Sequence, residues 1–259
     1  MAVNPSAAAL PPAAPDPSSW YGGNDFRDEA DRRRAVARAR RPLAAAVAQG
    51  LIAQNARLAP SPARDRHLAE LCAGAAAVVT GQQVGLFLGP LFNLYKAASA
   101  VRAAAALRAA TGEPVVPVFW LQTEDHDLAE IAVCHALGAG GVALSLHLPA
   151  DPADRRSVAD RVLPDEVMAR LADLRAALEP LPHAGPHLDR LERHYRPGAG
   201  WAAAFAGVLA ELFADDGLVI IDPRDPAFAA EQHALHAEAL DRCGELAARL
   251  GERTAALRR

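Results

Sequence analysis

Four consecutive residues, Glu124-Asp125-His126-Asp127, set three carboxylates around one imidazole, a density of charge that a purely structural turn does not need. An imidazole among acids is the arrangement of a base or proton shuttle working near neutrality. Asp127 followed by Glu130 also matches a helix cap with its reciprocal partner, so capping alone accounts for that pair. Glu124 and Asp125 have no such excuse. Asp125 with Asp127, or His126 with a distant ligand, could hold Mg²⁺ or a transition metal, but neighbours in sequence cannot all point at one ion. No metal is assigned.

A second group precedes it, Thr80-Gly81-Gln82-Gln83-Val84-Gly85-Leu86-Phe87-Leu88-Gly89-Pro90. Gly81, Gly85 and Gly89 lie between an apolar run and a helix start, where free amides and the positive helix end favour a phosphate or carboxylate. The spacing is neither a dinucleotide fingerprint nor a P-loop. The competing reading is that the glycines only permit a tight turn and close helix-sheet packing. Gln82 and Gln83 each offer a carboxamide that donates and accepts. Asn93 and Lys96, three apart, share one helix face, and Lys96 is placed to offset an anion's charge.

The elements between these groups follow from periodicity. Ala75 to Val79 and Pro114 to Leu121 are short apolar runs of strand type, and Pro90 to Ala110 is helical, with Thr111-Gly112 as its stop. Strand, helix, strand with a right-handed crossover brings both loops to one sheet edge, which is the geometry of a site. A third apolar run, Leu218 to Ile221, ends in another acidic loop, Asp222-Pro-Arg-Asp-Pro226. Asp25 to about Leu58 reads as helix broken at Pro42. Its arginines Arg32, Arg33, Arg34, Arg38, Arg40 and Arg41 alternate with Asp28, Glu29 and Asp31 as a solvated, ion-paired face rather than a phosphate site. Beyond Asp127 a helix is predicted to about Leu137, then a glycine turn over Gly138 to Gly141 and a strand over Val142 to Leu148. Further helices are predicted at Pro164 to Leu178 and Trp201 to Phe213. From Ala227 onward Cys243, Leu246, Leu250 and Leu257 trace a narrow coiled-coil seam.

The chain has 259 residues, 51% of them apolar and only 5% aromatic, which favours thin Ala/Leu helix faces over a β-sandwich. One main domain is predicted over residues 20–226, after a Pro/Ala/Ser-rich leader at 1–19 and before the start of a helical domain at 227–259. A net charge of −4 gives no electrostatic case for nucleic acid or a membrane surface. Three dispersed cysteines argue against a disulfide framework or thiolate zinc site, and no apolar run reaches the roughly 18 residues of a membrane span. A cytoplasmic protein is the expectation.

Together, Val78 to Lys96 and Pro114 to Asp127 closely resemble the BshC family, the cysteine-adding enzymes of bacillithiol biosynthesis, with looser similarity from Asp25 to Pro226. Family members are roughly twice as long, and this chain is similar to their N-terminal half. The resemblance implies an α/β, Rossmann-like nucleotidyltransferase-type parallel sheet with helical insertions, followed by the start of a coiled coil that makes a homodimer. It implies that cysteine is joined to glucosaminyl malate by an amide bond, with the sugar amine a better acceptor than the malyl carboxylate. ATP with Mg²⁺ is the cofactor set it leaves open. On this reading His126, Asp125, Asp127 and Lys96 are catalytic, and Thr80, Gly81, Gln82, Gln83, Gly85, Gly89, Asn93 and Glu124 bind substrate or nucleotide. Leu88 and Phe92 depart from the family pattern, which has a small polar residue and a tyrosine there. An adenylate-forming nucleotidyltransferase and a non-catalytic ligand-binding or dimerisation module are the alternatives.

Overall fold

A computed structural model describes Asp25, residues 27–151 and residues 153–257; the predicted leader lies outside them. Asp28 accepts from the Asp31 amide and caps α1 (Glu29–Ala39), and Pro42 separates it from α2 (Ala45–Asn55) as predicted. Arg33 pairs with Glu29 at 2.7 Å and Arg34 with Asp31 along α1, and Arg40, just past its end, pairs with Glu113. Then α3 (Pro62–Cys72) begins with a Ser61 cap and a proline in its first turn, a start signal that the periodicity reading passed over. The remaining elements are β1 (Ala76–Gln82), α4 (Phe92–Thr111), β2 (Val115–Leu121), α5 (Leu128–Ile131), β3 (Val133–Leu137), β4 (Ala143–His147), α6 (Glu166–Leu178), α7 (Ala184–His194), α8 (Trp201–Leu212), β5 (Val219–Ile221), α9 (Ala229–Asp241) and α10 (Cys243–Leu257).

Strands β1, β2 and β5 pair in that order, all parallel, with Ala76 opposite Val115 and Val118 opposite Val219. Central β2 is buried at Val115 to Phe119 and at Leu121, and its side chains alternate between two helical layers. Phe119, Leu121 and Ile220 face Phe205 and Leu209 of α8. Val116, Val118 and Val219 face Leu51, Leu68 and Leu71 of α2 and α3. Helices on both faces of a parallel sheet make this a Rossmann-like α/β fold, and parallel pairing sends the loops after β1, β2 and β5 to one edge.

The outer edge of β5 is closed by side chains that imitate a further strand. Asn55 donates to the Ile220 carbonyl at 2.8 Å and accepts from its amide at 3.1 Å, while Gln54 does the same for Asp222 at 2.8 and 3.0 Å. Backbone groups on an unpaired edge need such partners or water.

Two stretches differ from the pattern read in the sequence. The helix predicted to Leu137 lasts one turn, as α5, and gives way to β3, which pairs antiparallel with β4 from Val133↔His147 to Leu137↔Ala143. Alternation explains the outcome: Cys134 and Leu146 turn inward onto α6 while His135 and His147 face out. The other is α7, absent from the predicted elements, whose Leu188 is buried against the main core. Beyond the core, α9 and α10 are separated at Arg242 and leave Leu235, Leu240, Leu246, Leu250 and Leu257 exposed. Among the described residues no helix is long and apolar enough to cross a membrane.

Candidate functional site

The glycine loop after β1 folds inward as an apolar plug. Val84, Leu86, Phe87 and Leu88 are all buried, and at about 1.5–3 kcal/mol per buried large side chain their desolvation outweighs the strain of two left-handed residues. Those residues are Phe87 at φ 51° and Leu88 at φ 64°. Trp201 Nε1 donates to the Val84 carbonyl at 2.6 Å, and the Tyr195 hydroxyl donates to the Gly85 carbonyl at 3.3 Å. Phe87 meets the Tyr195 ring edge-on at 5.0 Å.

This placement corrects the anion cradle predicted around Gly85 and Gly89. Their amides are spent within the loop, Gly85 on the Gln83 carbonyl at 3.1 Å and Gly89 on Leu86 at 2.9 Å. A side chain at Gly85 would lie 1.8 Å from the Gly89 carbonyl oxygen, so close packing is what demands the glycine there. Asn93, predicted to bind a ligand, is fully buried, and its amide donates to the Leu88 and Gly89 carbonyls at 3.3 and 2.8 Å. It holds the plug in place.

What remains at the surface is a directional chain of hydrogen bonds. Lys96 donates to the Gly81 carbonyl at 3.1 Å and to Gln82 Oε1 at 2.6 Å; the Gln82 amide donates to Gln83 Oε1. Gln83 Nε2 then donates to Asp125 Oδ2 at 3.3 Å and to Glu130 Oε2 at 3.0 Å. An ammonium can only donate and carboxylates only accept, so the two ends fix the orientation of both amides. The chain ties the two loops together across β1 and β2.

In the second loop Asp125 Oδ1 accepts from the His126 amide at 2.7 Å and the Asp127 amide at 3.2 Å, and sits 3.8 Å from His126 Nδ1. Burial pushes the Asp125 carboxyl up, but the Asp127 and His126 amides, the Gln83 side chain and the nearby imidazole together outweigh it and hold the group below its ordinary range. Asp127 caps α5 by accepting from the Glu130 amide at 3.2 Å. Buried Thr123 donates to Asp222 in the loop after β5 and binds the third loop to the second. Cys134, under the plug, has its thiol pushed up to about 11 by burial and stays protonated at neutral pH.

Two hollows open along this edge. The larger, about 610 Å³, adjoins the closed side of β5; its Arg57, Arg193, Arg196 and Arg224 are accompanied by Asp160, Asp222 and Asp225, and none of the predicted site residues lines it. The smaller, about 420 Å³, is bounded by Val79, Thr80, Gly81, Gln82, Trp120, Gln122 and Glu124. Thus Thr80, Gly81, Gln82 and Glu124 share a cavity; Gln83, Lys96 and Asp125 are joined to it through the amide chain. His126 and Asp127 are exposed and do not line it. Trp120 and Gln122 are absent from the predicted set, although period-two spacing with Glu124 puts all three on one side of the extended chain. Among the described residues, no group of three or more His, Cys, Asp or Glu could hold a metal ion.

Comparison with known proteins adds a family to this geometry. Residues 17–259 match the model described as Bacillithiol biosynthesis BshC, N-terminal Rossmann-like domain. A Salinibacter ruber protein is 36% identical over 210 residues, covering 80% of this chain and 38% of its own length. One from Koribacter versatilis is 38% identical over 217 residues with the same coverage, and one from Heliobacterium modesticaldum is 40% identical over 159 residues, 61% of this chain and 28% of its own. Each is named "Putative cysteine ligase BshC". The chain therefore spans less than two fifths of the length of these relatives.

Proposed function

The chain belongs to the BshC family of bacillithiol biosynthesis, and from that premise we propose that its loops after β1 and β2 form the acceptor side of a cysteine ligase site. The observation that carries this reading is Gln83, whose amide reaches Asp125 and Glu130 at 3.3 and 3.0 Å and joins the glutamine loop to the acidic one. The acceptor is the amine of glucosaminyl malate, and the donor is cysteine carrying an activated carboxyl of the acyl-phosphate or acyl-adenylate class. The acceptor arrives as an ammonium held by Glu124 and gives one proton to solvent to free its lone pair. As the nitrogen–carbon bond of the amide forms and the bond from the acyl carbon to its phosphate or adenylate leaving group breaks, the leaving group departs as an anion and His126 takes the second proton from the nitrogen. Asp125 stabilises the resulting imidazolium. Lys96 orients the two glutamines.

ATP with Mg²⁺ does not fit the described residues as a cradle, because the Gly85 and Gly89 amides are already bonded within the loop. No step is assigned through it, and activation of the donor is given to no residue of this chain. The same reading places the protein in the cytoplasm and pairs α9 and α10 with a second copy.

In the complete protein, His126→Ala and Lys96→Ala should each abolish the cysteine–glucosaminyl malate product, followed by mass spectrometry with and without ATP and Mg²⁺, with unchanged circular dichroism. Undiminished product from either variant removes that residue from the mechanism.

A further inference from the structure

The two edges of the parallel sheet are finished differently. Asn55 and Gln54 bond the outer edge of β5, so the sheet cannot grow there. At the other edge stands β1. The Gln122 amide donates to the Gln82 carbonyl at 3.1 Å, which shows that Gln82 directs its backbone toward β2. Alternation along the strand then turns the amides and carbonyls of Ala77, Val79 and Gly81 the other way. Lys96 takes the Gly81 carbonyl at 3.1 Å. Among the described residues, the outward amides and carbonyls of Ala77 and Val79 have no partner, and such an edge is a template for another strand.

The same strand is bare on one face. Ala76 and Val78 pack with Ala104 of α4 and Val36 of α1, while Ala77, Val79 and Gly81 point to the opposite side. Register puts Val79 beside Val118, which α2 and α3 bury to 2% exposure, yet Val79 keeps 58%. Trp120, opposite Gly81 on that face, keeps 39%. An edge with unmet hydrogen bonds next to an uncovered apolar face is what a helix and a strand in succession close together.

Handedness says how such a unit fits. The crossovers from β1 to β2 and from β2 to β5 carry α4 and α8 on one face, and both step the chain the same way across the sheet. A strand that follows β5 and lies parallel beyond β1 steps back the other way, so a right-handed crossover has to run over the opposite face. That face is the bare one, over Val79 and Trp120. Relatives have the length for it: the match covers 38% of the Salinibacter ruber and Koribacter versatilis proteins, so more than half of each lies outside it.

We infer that in the complete protein β1 is a central strand. Its free edge pairs in parallel with a strand from the part that the longer relatives also carry, and the apolar helix leading into that strand covers Val79 and Trp120. The inference stands on pairing and packing, and holds whether or not the proposed ligation takes place. Strand order then reverses at β1, and the loop of Gln82 and Gln83 lies at the reversal, where open α/β sheets form their binding crevice. The added unit supplies the second wall of that crevice.

Amide hydrogen exchange of the complete protein, resolved to single residues by mass spectrometry, is the test. The Ala77 and Val79 amides should exchange as slowly as that of Val118 in β2, roughly a hundredfold or more below the rate of an unpaired amide, and dilution should not change this. Val79→Asp puts a carboxylate under the covering helix and should speed both amides about tenfold or more while lowering the urea midpoint. Val79→Ile keeps the apolar contact and should leave both readings as in the parent protein. Fast exchange at Ala77 and Val79 beside a protected Val118 would overturn the pairing, and this reading needs no variant to fold. Protection that is lost on dilution would give the edge to a second copy and overturn a strand from the same chain. Protection and a midpoint unaltered by Val79→Asp would overturn the helix on that face.

Discussion

Asp125 is the residue on which both loops converge, and its ionisation has a readable consequence. Its carboxyl is held below the ordinary 3.8, so the folded chain takes up that proton less readily than the unfolded one. The stability it contributes is present above the ordinary value and is lost as pH falls through the depressed one. Asp125→Asn should therefore cost most near neutrality, and the difference from the parent protein should shrink below about pH 4. Urea unfolding at a series of pH values measures it; a gap that stays constant or widens toward acid would show that Asp125 is not held this way. Asparagine keeps a single oxygen, so the substitution removes the charge together with one acceptor, either Oδ2 for Gln83 or Oδ1 for the His126 and Asp127 amides; only the charge part of the loss varies with pH.

At the scale of elements, the plug after β1 depends on contacts from α8 and the residue after α7. Trp201→Phe removes the 2.6 Å bond to the Val84 carbonyl and leaves that oxygen buried without a donor, beside a small void. A loss of about 2–4 kcal/mol is expected, split between the void and the unpaired acceptor. Gly85→Ala is a harsher change, since the added carbon would fall 1.8 Å from the Gly89 oxygen; the loop must open, and a loss of about 3 kcal/mol or more is expected. Denaturant midpoints of both variants check these values, and a Gly85→Ala protein as stable as its parent would mean that the plug is not packed as described. Because the loop carries Gln82 and Gln83 at its base, both substitutions should also weaken the link to Asp125.

For the whole molecule, α9 and α10 stand apart from the core with leucines exposed, Leu250 at 69% and Leu240 at 74%. If this stripe pairs with a second copy in the complete protein, Leu250→Asp should shift sedimentation from dimer toward monomer without altering far-ultraviolet circular dichroism. Unchanged sedimentation would remove the stripe from any interface. The core should not sense the substitution, since none of its buried clusters includes a residue of α10.

Much of this protein was legible from local pattern. Two β-branched runs flanking an alanine-rich helix specify a parallel β-α-β unit, and parallel pairing alone then puts Gln82 and Asp125 at the same edge. The break at Pro42 and the cap at Asp127 follow from backbone chemistry within a few residues. Three things depended on partners distant in sequence. Cys134 and Leu146 became a hairpin because α6 offers them a surface, which no window over Asp127 to Leu137 contains. Whether Gly81, Gly85 and Gly89 cradle an anion or pack a turn was undecidable locally; Trp201 and Tyr195, more than a hundred residues on, bond the Val84 and Gly85 carbonyls and draw the loop inward, where the Gly85 and Gly89 amides bond to carbonyls of the loop itself. Burial likewise turned Asn93 from the surface and left Trp120 at it, because the helices of that face end before β1. Residue types and their spacing determined which chemistry was available, while long-range packing decided which groups kept free hydrogen-bonding capacity and an open path to solvent.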